Sequence, residues 1–186
     1  MKRTIYNELP VIIWKESKKL KWSDFKKTNK PNFNASAVSA IGFQSKPIIE
    51  HIKNKNTYRF KIREMQFNAI FIPQYSWYGN KISKKDQVLL LKHEQGHFDL
   101  AEEITRKESK TIKNNFQNKI FKINGKNEDA AVENAIYQVK TLRNKIEKKL
   151  EKKFEIQETR YDNKTNHGLI EIHQKIYDKR FRKLRK

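Results

Sequence analysis

The sequence predicts an α+β fold, in which an N-terminal mixed or antiparallel sheet packs on one long helix and further helices follow. Two observations carry this prediction. Residues 57–63 alternate apolar and basic side chains, with the period of two that is typical of a half-buried strand. Residues 83–104 instead repeat apolar side chains every three to four positions, as an amphipathic helix does. We expect residues 1–186 to form a single domain, since that length suits one core.

The composition is strongly basic and lacks cysteine. Lys and Arg number 42 against 21 Asp and Glu, which gives a formal net charge of +21. Without cysteine, disulfides and thiolate metal sites are excluded, and His, Asp and Glu remain as metal ligands. The charge would attract nucleic acid, but the sequence carries no specific nucleic-acid motif, so a lysine-rich solvated surface is the plainer interpretation. No apolar run in the sequence reaches transmembrane length.

The N-terminal region is predicted to be mostly β. We expect strands at residues 11–14, 35–43 and 67–72, the last of which Pro73 would end; a helix is the alternative for residues 35–43. His51 falls in a lysine- and asparagine-rich stretch between strands, so we interpret it as a surface histidine.

The central helix carries the most informative motif. His93, Glu94 and His97 form the pattern His-Glu-x-x-His. Two histidines four residues apart on a helix lie about 5–6 Å from each other on one face, so both imidazoles can bind one metal ion. Glu94 lies beside that face, where it can act as a general base on a zinc-bound water. The motif therefore predicts a Zn²⁺ site; the plainer alternative is a buried helix with two core histidines.

Local signals predict the limits of this helix. Ser83 and Asp86 are spaced as a capping box, which predicts its start. Apolar residues continue at helical spacing as far as residue 120, so we expect one long helix, or two, ending near residues 124–125. Gly96 would weaken the helix by about 1 kcal/mol relative to alanine. Close approach of another backbone or of substrate would compensate for that loss.

Two further helices, separated by a polar turn, are predicted toward the C-terminus. Asn127 can cap the first of them, whose apolar stripe at residues 131–154 excludes Glu133, so Glu133 is a poor ligand candidate. Residues 161–168 are polar and predict the turn. The final helix would then carry an apolar stripe formed by Leu169, Ile172, Ile176 and Leu184.

A catalytic zinc site needs a third protein ligand and an open position for water. Asp99 and Glu103 fall on the wrong side of the helix. The remaining candidates lie near the C-terminus: Asp162, His167, Glu171 and His173. We prefer His167, because it has a nitrogen donor and lies in a turn that can hold it in place. Tyr161 is a weaker candidate to stabilise an oxyanion, since a tyrosine in a turn more often packs.

Three segments of the sequence resemble one bacterial protein family. They are Ser76-Trp77, the stretch at residues 90–99 that contains His-Glu-Gln-Gly-His, and Tyr-Asp-x-x-Thr-x-His-Gly at residues 161–168. In combination they are similar to the domain-of-unknown-function 922 family, described as predicted secreted zinc-dependent proteases of the zincin-like group; Leu-x-Trp-x-Asp-Phe at residues 20–25 is also similar. The resemblance implies a zincin-like metallopeptidase domain over the whole chain, a peptide or protein substrate and an extracytoplasmic location, periplasmic or secreted. The family usually carries an export signal, which this sequence lacks.

The sequence therefore predicts a zinc-dependent metallopeptidase, with His93, His97 and His167 as metal ligands and Glu94 as the general base. Two alternatives stay open. The first is a metal- or peptide-binding module without turnover, which only an activity measurement separates from an enzyme. The second is a nucleic-acid-binding protein driven by charge, which steeply salt-dependent binding without metal would favour. The sequence leaves the oligomeric state open.

Overall fold

The computed structural model of the chain describes residues 9–28, 36–54, 57–79 and 82–186. These residues form seven strands and three α-helices. The strands are β1 (Ile12–Ile13), β2 (Lys26–Thr28), β3 (Ala37–Val38), β4 (Ile41–Asn54), β5 (Thr57–Phe71), β6 (Trp77–Gly79) and β7 (Ile120–Ile123). The helices are α1 (Lys84–Phe116), α2 (Glu128–Thr165) and α3 (Glu171–Phe181). The α+β fold class predicted from the sequence is confirmed.

The chain divides into two compact units. The first contains Met1–Gly42, Ala69–Ile104 and Lys153–Lys186, and the second contains Phe43–Asn68 and Thr105–Lys152. Both long helices, α1 and α2, contribute residues to each unit. Within the described ranges, no helix combines the length and the apolar character that a membrane span requires.

The strands form two sheets. In the four-stranded sheet β4 lies beside β5, while β1 and β7 each pair with β5 in antiparallel register. In the three-stranded sheet β6 lies between β2 and β3, parallel to β2 and antiparallel to β3. The mixed and antiparallel pairings expected for the N-terminal region are therefore distributed over two sheets.

Two strand predictions were wrong in their limits. The expected break between residues 57–63 and 67–72 does not occur. The strand β5 runs through Met65, whose buried side chain follows two exposed residues, so the alternation shifts there by one position. His51 lies within β4 and not in a link between strands. Its side chain is exposed there, which agrees with its interpretation as a surface histidine.

The helix α1 begins where its capping residues predict. The Ser83 hydroxyl accepts a hydrogen bond from the Asp86 backbone N–H at 3.2 Å and donates one to the Asp86 carboxylate at 2.6 Å. The helix ends at Phe116 and not near residues 124–125, because Asn118 adopts a left-handed conformation (φ 65°) that stops a helix. The apolar residues that follow pair with β5 as β7.

The helix α2 is longer than predicted. The Asn127 side chain caps its first turn by accepting a backbone hydrogen bond at 3.0 Å, as expected. The helix continues to Thr165, so Tyr161 and Asp162 lie on a helix and not in a polar turn. Tyr161 and Thr165 are both buried, one turn apart, and the Thr165 hydroxyl donates to the Tyr161 carbonyl oxygen at 2.8 Å. The turn itself is reduced to residues 166–168, all three with positive φ.

The apolar stripe predicted for the last helix does not face a core. Its members are largely exposed: Leu169 at 73%, Ile172 at 68% and Ile176 at 62%. The buried face of α3 carries Gln174 and Phe181 instead. The Gln174 side chain donates a hydrogen bond to the Tyr161 hydroxyl at 2.9 Å, so a polar contact orients this helix. Hydrophobic periodicity carries no signal for such a contact.

A buried polar network joins α1 to the N-terminal segment of the first unit. Asp99 accepts hydrogen bonds from the Trp14 indole at 2.8 Å and from the Gln95 amide at 2.9 Å, and it forms an ion pair with Arg185. The side-chain oxygen of Gln95, Oε1, in turn accepts a hydrogen bond from the Leu20 backbone N–H at 2.7 Å. Burial raises the pKa of Asp99, while its hydrogen bonds and Arg185 oppose that rise. The Asp99 carboxylate is thus occupied by contacts within the protein, in agreement with its exclusion as a metal ligand.

Candidate metal centre

The two motif histidines converge on one point in the first unit. His93 and His97 lie one turn apart on α1, and both side chains are buried. Their Nε2 atoms are 3.1 Å apart, and their rings meet edge to face with centroids 4.7 Å apart. The spacing on the helix therefore does what the sequence predicted: it brings two imidazole nitrogens to one place.

Asp162 completes this cluster. Its Oδ1 atom lies 3.2 Å from His93 Nε2 and 3.2 Å from His97 Nε2, so the three atoms form a nearly equilateral triangle. The extension of α2 beyond its predicted end carries this carboxylate to the histidines. Sequence reasoning kept Asp162 among four alternatives but preferred His167. A helical interpretation of residues 161–165 would have been the signal that favoured Asp162.

The triangle fits a tetrahedral metal ion. Ligand atoms about 2.0–2.1 Å from zinc in tetrahedral geometry lie about 3.3–3.4 Å from one another, close to the edges found here. Two imidazole nitrogens and one carboxylate oxygen also form a donor set that catalytic zinc sites use. The residues present therefore match zinc both in spacing and in chemistry.

The electrostatics of the cluster favour positive charge. Burial alone would lower the pKa of His97, but hydrogen bonds with Asp162 and Glu158 and the charge of Glu94 raise it to about 10. Burial would raise the pKa of Asp162, yet the two histidines hold it well below its usual value. Carboxylates that retain a proton on a buried imidazole would stabilise a divalent cation in the same place.

Glu94 lies next to the cluster and has one carboxylate oxygen without a hydrogen-bond partner among the described residues. The residue is almost fully buried, and its Oε2 atom has no hydrogen-bond partner within the described part of the chain. Ligand atoms of His93, Glu94 and His97 all lie within 4.8 Å of one another. A buried carboxylate oxygen without a partner is costly, so a polar group such as water is expected to meet it.

A second layer of side chains orients His93. Its Nδ1 atom lies 3.3 Å from Gln174 Oε1 and 3.4 Å from the Thr165 hydroxyl, so its second nitrogen has polar neighbours. The Tyr161 ring stacks on the imidazole, with an angle of 9° between the planes and centroids 4.7 Å apart. On another side, the Gly168 backbone approaches so closely that an added Cβ would lie 2.9 Å from His93 Cβ.

Tyr161 contacts the cluster from within the protein interior. It is fully buried, and its hydroxyl lies 3.1 Å from the His93 carbonyl oxygen. The same hydroxyl accepts the bond from Gln174, and burial raises the pKa of Tyr161. The expected oxyanion role is therefore disfavoured, because this hydroxyl is already bonded within the protein.

Gly96 is explained by the same tyrosine. A Cβ on Gly96 would lie 2.1 Å from the Tyr161 hydroxyl oxygen and 2.7 Å from Cζ. The glycine therefore gives space to a side chain, and not to another backbone or a substrate as the sequence suggested.

His167, the preferred third ligand, lies at the edge of the cluster. Its Nδ1 atom is 3.9 Å from Asp162 Oδ1, and its ring centroid is 6.1 Å from that of His93. Ligand atoms of His93, Asp162 and His167 fall within 4.8 Å of one another. The side chain is 71% exposed and rises from a residue with φ of 52°, so it approaches the cluster from the solvent side.

The remaining candidate ligands are engaged elsewhere or exposed. Glu171 is exposed and pairs with Lys175 at 2.9 Å, and exposed His173 contacts the Lys164 carbonyl oxygen at 2.6 Å. Glu103 forms an ion pair with Arg180. Glu133 and His51 are exposed residues of the second unit.

The fold and the site define an α+β protein with a compact cluster of histidine and carboxylate side chains that could hold a metal ion. Comparisons with protein-family models, with curated proteins and with solved structures found no match for this chain. The resemblance to the domain-of-unknown-function 922 family therefore rests on the sequence segments that carry it, and the zincin-like fold and peptidase activity remain predictions.

Proposed function

We propose that the protein is a zinc-dependent metallopeptidase. One observation carries the proposal: His93 Nε2, His97 Nε2 and Asp162 Oδ1 lie 3.1–3.2 Å apart, beside the buried Glu94 oxygen that has no hydrogen-bond partner among the described residues. Three protein ligands with a neighbouring carboxylate make up the constellation that hydrolytic zinc sites require.

In this proposal each residue has a defined task. His93, His97 and Asp162 hold the ion, and zinc when bound supplies the Lewis acidity that polarises a peptide carbonyl and acidifies water. Glu94 accepts the proton from the attacking water and transfers it to the leaving amine.

The buried side chains around the ligands fix their orientation. Gln174 and Thr165 meet the second nitrogen of His93, and Glu158 Oε1 lies 3.3 Å from the second nitrogen of His97. Such partners select the tautomer that leaves Nε2 free to bind metal. Tyr161 keeps the His93 ring in its plane by stacking. A peptide would reach the site from the side of His167, the exposed member of the cluster.

The first test combines metal binding with hydrolysis. Protein purified without chelator or metal-affinity resin should contain about one zinc per chain, and it should cleave fluorescein-labelled casein. Glu94→Gln should keep the zinc and lose at least about 100-fold in cleavage rate, because an amide cannot accept the proton. Absence of zinc uptake at neutral pH would refute the metal site. Parent-like cleavage by Glu94→Gln would refute the role of this residue as the base.

A closed site with four protein ligands is the second candidate, and the position of His167 favours it. Four protein ligands leave no position for water, which is typical of structural zinc. Such a protein would bind metal without catalysing hydrolysis.

Two variants separate an open site from a closed one. Asp162→Ala should weaken zinc binding strongly in both cases, as measured by competition with a chelator. His167→Ala should leave zinc affinity within about tenfold of the parent for an open site, and weaken it as much as Asp162→Ala for a closed one. His173→Ala is the matched control, since this exposed histidine is bonded to a backbone carbonyl. Retention of parent-like affinity by Asp162→Ala would remove this carboxylate from the ligand set.

A further inference from the structure

The first unit contains a large cavity beside α1. Its volume is about 810 Å³, within the range of roughly 300–1,000 Å³ that is typical of small-molecule sites. Its α1 lining includes Val88, Leu91 and Gln95, about 160–220° around the helix axis from His93, and also Lys92 and Gly96, which lie nearer the histidine face. No motif histidine lies in the wall of the cavity.

The inner surface of this cavity is mainly apolar. The side chains that give it this character come from three separate segments of the unit: Leu20, Trp22, Val88, Leu91 and Phe181. Val88 is 69% exposed and Leu91 is partly exposed, although both lie on the central helix. A ligand with an apolar body would cover this surface and remove it from water.

The rim of the cavity carries positive charge that is not neutralised by the protein. Its two carboxylates are already paired, Asp99 with Arg185 and Asp178 with Lys92. Of the four further cations of the lining, Lys175 pairs with Glu171, which leaves Lys19, Lys84 and Arg182. For these three, the described part of the chain provides no ion-pairing carboxylate. Uncompensated cations around an apolar surface are complementary to a molecule with one anionic end and one apolar end.

We propose that this cavity binds a single-chain amphipathic anion of the fatty-acid class. The alkyl chain would lie on Trp22, Val88 and Leu91, while the carboxylate would meet the cations of the rim. A neutral apolar molecule would leave those cations unpaired, and a cation would be repelled by them. The proposal is independent of the metal site, so the protein can be tested with and without zinc.

The probe is dodecanoate with a terminal bromine, used below its micelle concentration. Bromine quenches tryptophan fluorescence at contact distance, and Trp22 lines the cavity. We expect saturable quenching that disappears in Trp22→Phe, while calorimetry shows that this variant still binds dodecanoate. Affinity should rise by about fourfold for each added methylene until the chain fills the cavity, as expected for burial of apolar surface.

Charge-reversal variants test the rim. Lys84→Glu and Arg182→Glu change exposed residues of the lining, and each should weaken binding by about twofold to fivefold. Lys110→Glu and Lys152→Glu are matched controls, because they change the net charge equally at exposed sites outside the lining. These controls should bind like the parent protein. The proposal is overturned by a lack of saturable quenching, by equal affinity for brominated dodecanol, or by control variants that weaken binding as much as the rim variants do.

Discussion

Replacing Gly96 by alanine tests how Tyr161 supports the metal cluster. The new Cβ would lie 2.1 Å from the Tyr161 hydroxyl oxygen and 2.7 Å from Cζ. Ordinary contacts of this kind are about 3.5 Å, so the hydroxyl end of the ring must move by about 1.4 Å. That movement would break the contacts of the hydroxyl with the His93 carbonyl and Gln174, which are now 3.1 and 2.9 Å long.

The expected cost exceeds the helical advantage of alanine. Alanine gains about 1 kcal/mol over glycine within a helix. Two effects oppose this gain: overpacking destabilises the protein by about 1–3 kcal/mol, and a buried polar group that loses its partner destabilises it by about 1–3 kcal/mol more. Gly96→Ala should therefore lower the free energy of unfolding by about 1–5 kcal/mol, as measured by urea denaturation. Zinc affinity should fall by about tenfold or more, because Asp162 directly follows the displaced tyrosine.

A matched control and a double variant make this prediction specific. A Cβ at Gly79 would meet the Ser36 carbonyl oxygen at 3.6 Å, an ordinary contact, so Gly79→Ala should change the free energy of unfolding little. Adding Tyr161→Phe to Gly96→Ala removes the oxygen that lies nearest and should recover part of the loss. A Gly96→Ala variant as stable as the parent, with parent-like zinc affinity, would refute the reasoning.

Three further variants test other parts of the first unit. Gln174→Leu should lower zinc affinity by about 10- to 100-fold in a chelator competition, because the second nitrogen of His93 loses a neighbour; parent-like affinity would contradict the orienting role. Arg185→Ala should destabilise the protein by about 3 kcal/mol in urea denaturation, because buried Asp99 keeps its charge without its partner. Adding Asp99→Asn should recover much of that stability. A double variant that is no more stable than Arg185→Ala would argue against the Asp99–Arg185 ion pair. Ile172→Ser should alter the free energy of unfolding by less than about 0.5 kcal/mol, since the side chain is 68% exposed; a loss of several kcal/mol would show that this face is covered.

The parts of the site that sequence predicted are those that depend on local spacing. His93, Glu94 and His97 lie on one helix, so the geometry of that helix alone brings the two imidazoles together. The capping residues Ser83 and Asp86 likewise act within one turn, and the start of α1 follows from them. These relations require no knowledge of how distant segments pack.

The third member of the cluster could not be derived in the same way. Asp162 reaches the histidines because α2 extends to Thr165, and that extension depends on the burial of Tyr161 against Gly96 and His93. A polar stretch that ends in Gly168 has the composition of a turn, so local propensity favoured the wrong structure. Contacts between segments overrode that propensity.

The orientation of α3 escaped prediction for a related reason. Three apolar residues at helical spacing indicate a buried face, yet the face that is buried carries Gln174. The amide is held by the Tyr161 hydroxyl and by Asp178, whose Oδ1 it reaches at 3.0 Å. A polar network can therefore decide which side of a short helix is buried, and periodicity does not report such networks.

Arg185 has a consequence for the order in which this protein can mature. Its guanidinium donates to the Glu16 and Lys18 carbonyl oxygens at 2.8 and 2.9 Å, so a residue near the end of the sequence holds a segment near its start. During synthesis the residues of the second unit all leave the ribosome before Lys153, whereas the first unit lacks Asp162 and Arg185 until residues 153–186 emerge. We expect the second unit to become structured on the nascent chain, while the cluster of His93 and His97 stays incomplete until Asp162 is synthesised. If the protein binds zinc as proposed, stable binding would then follow the synthesis of Asp162 and proceed together with closure of the first unit.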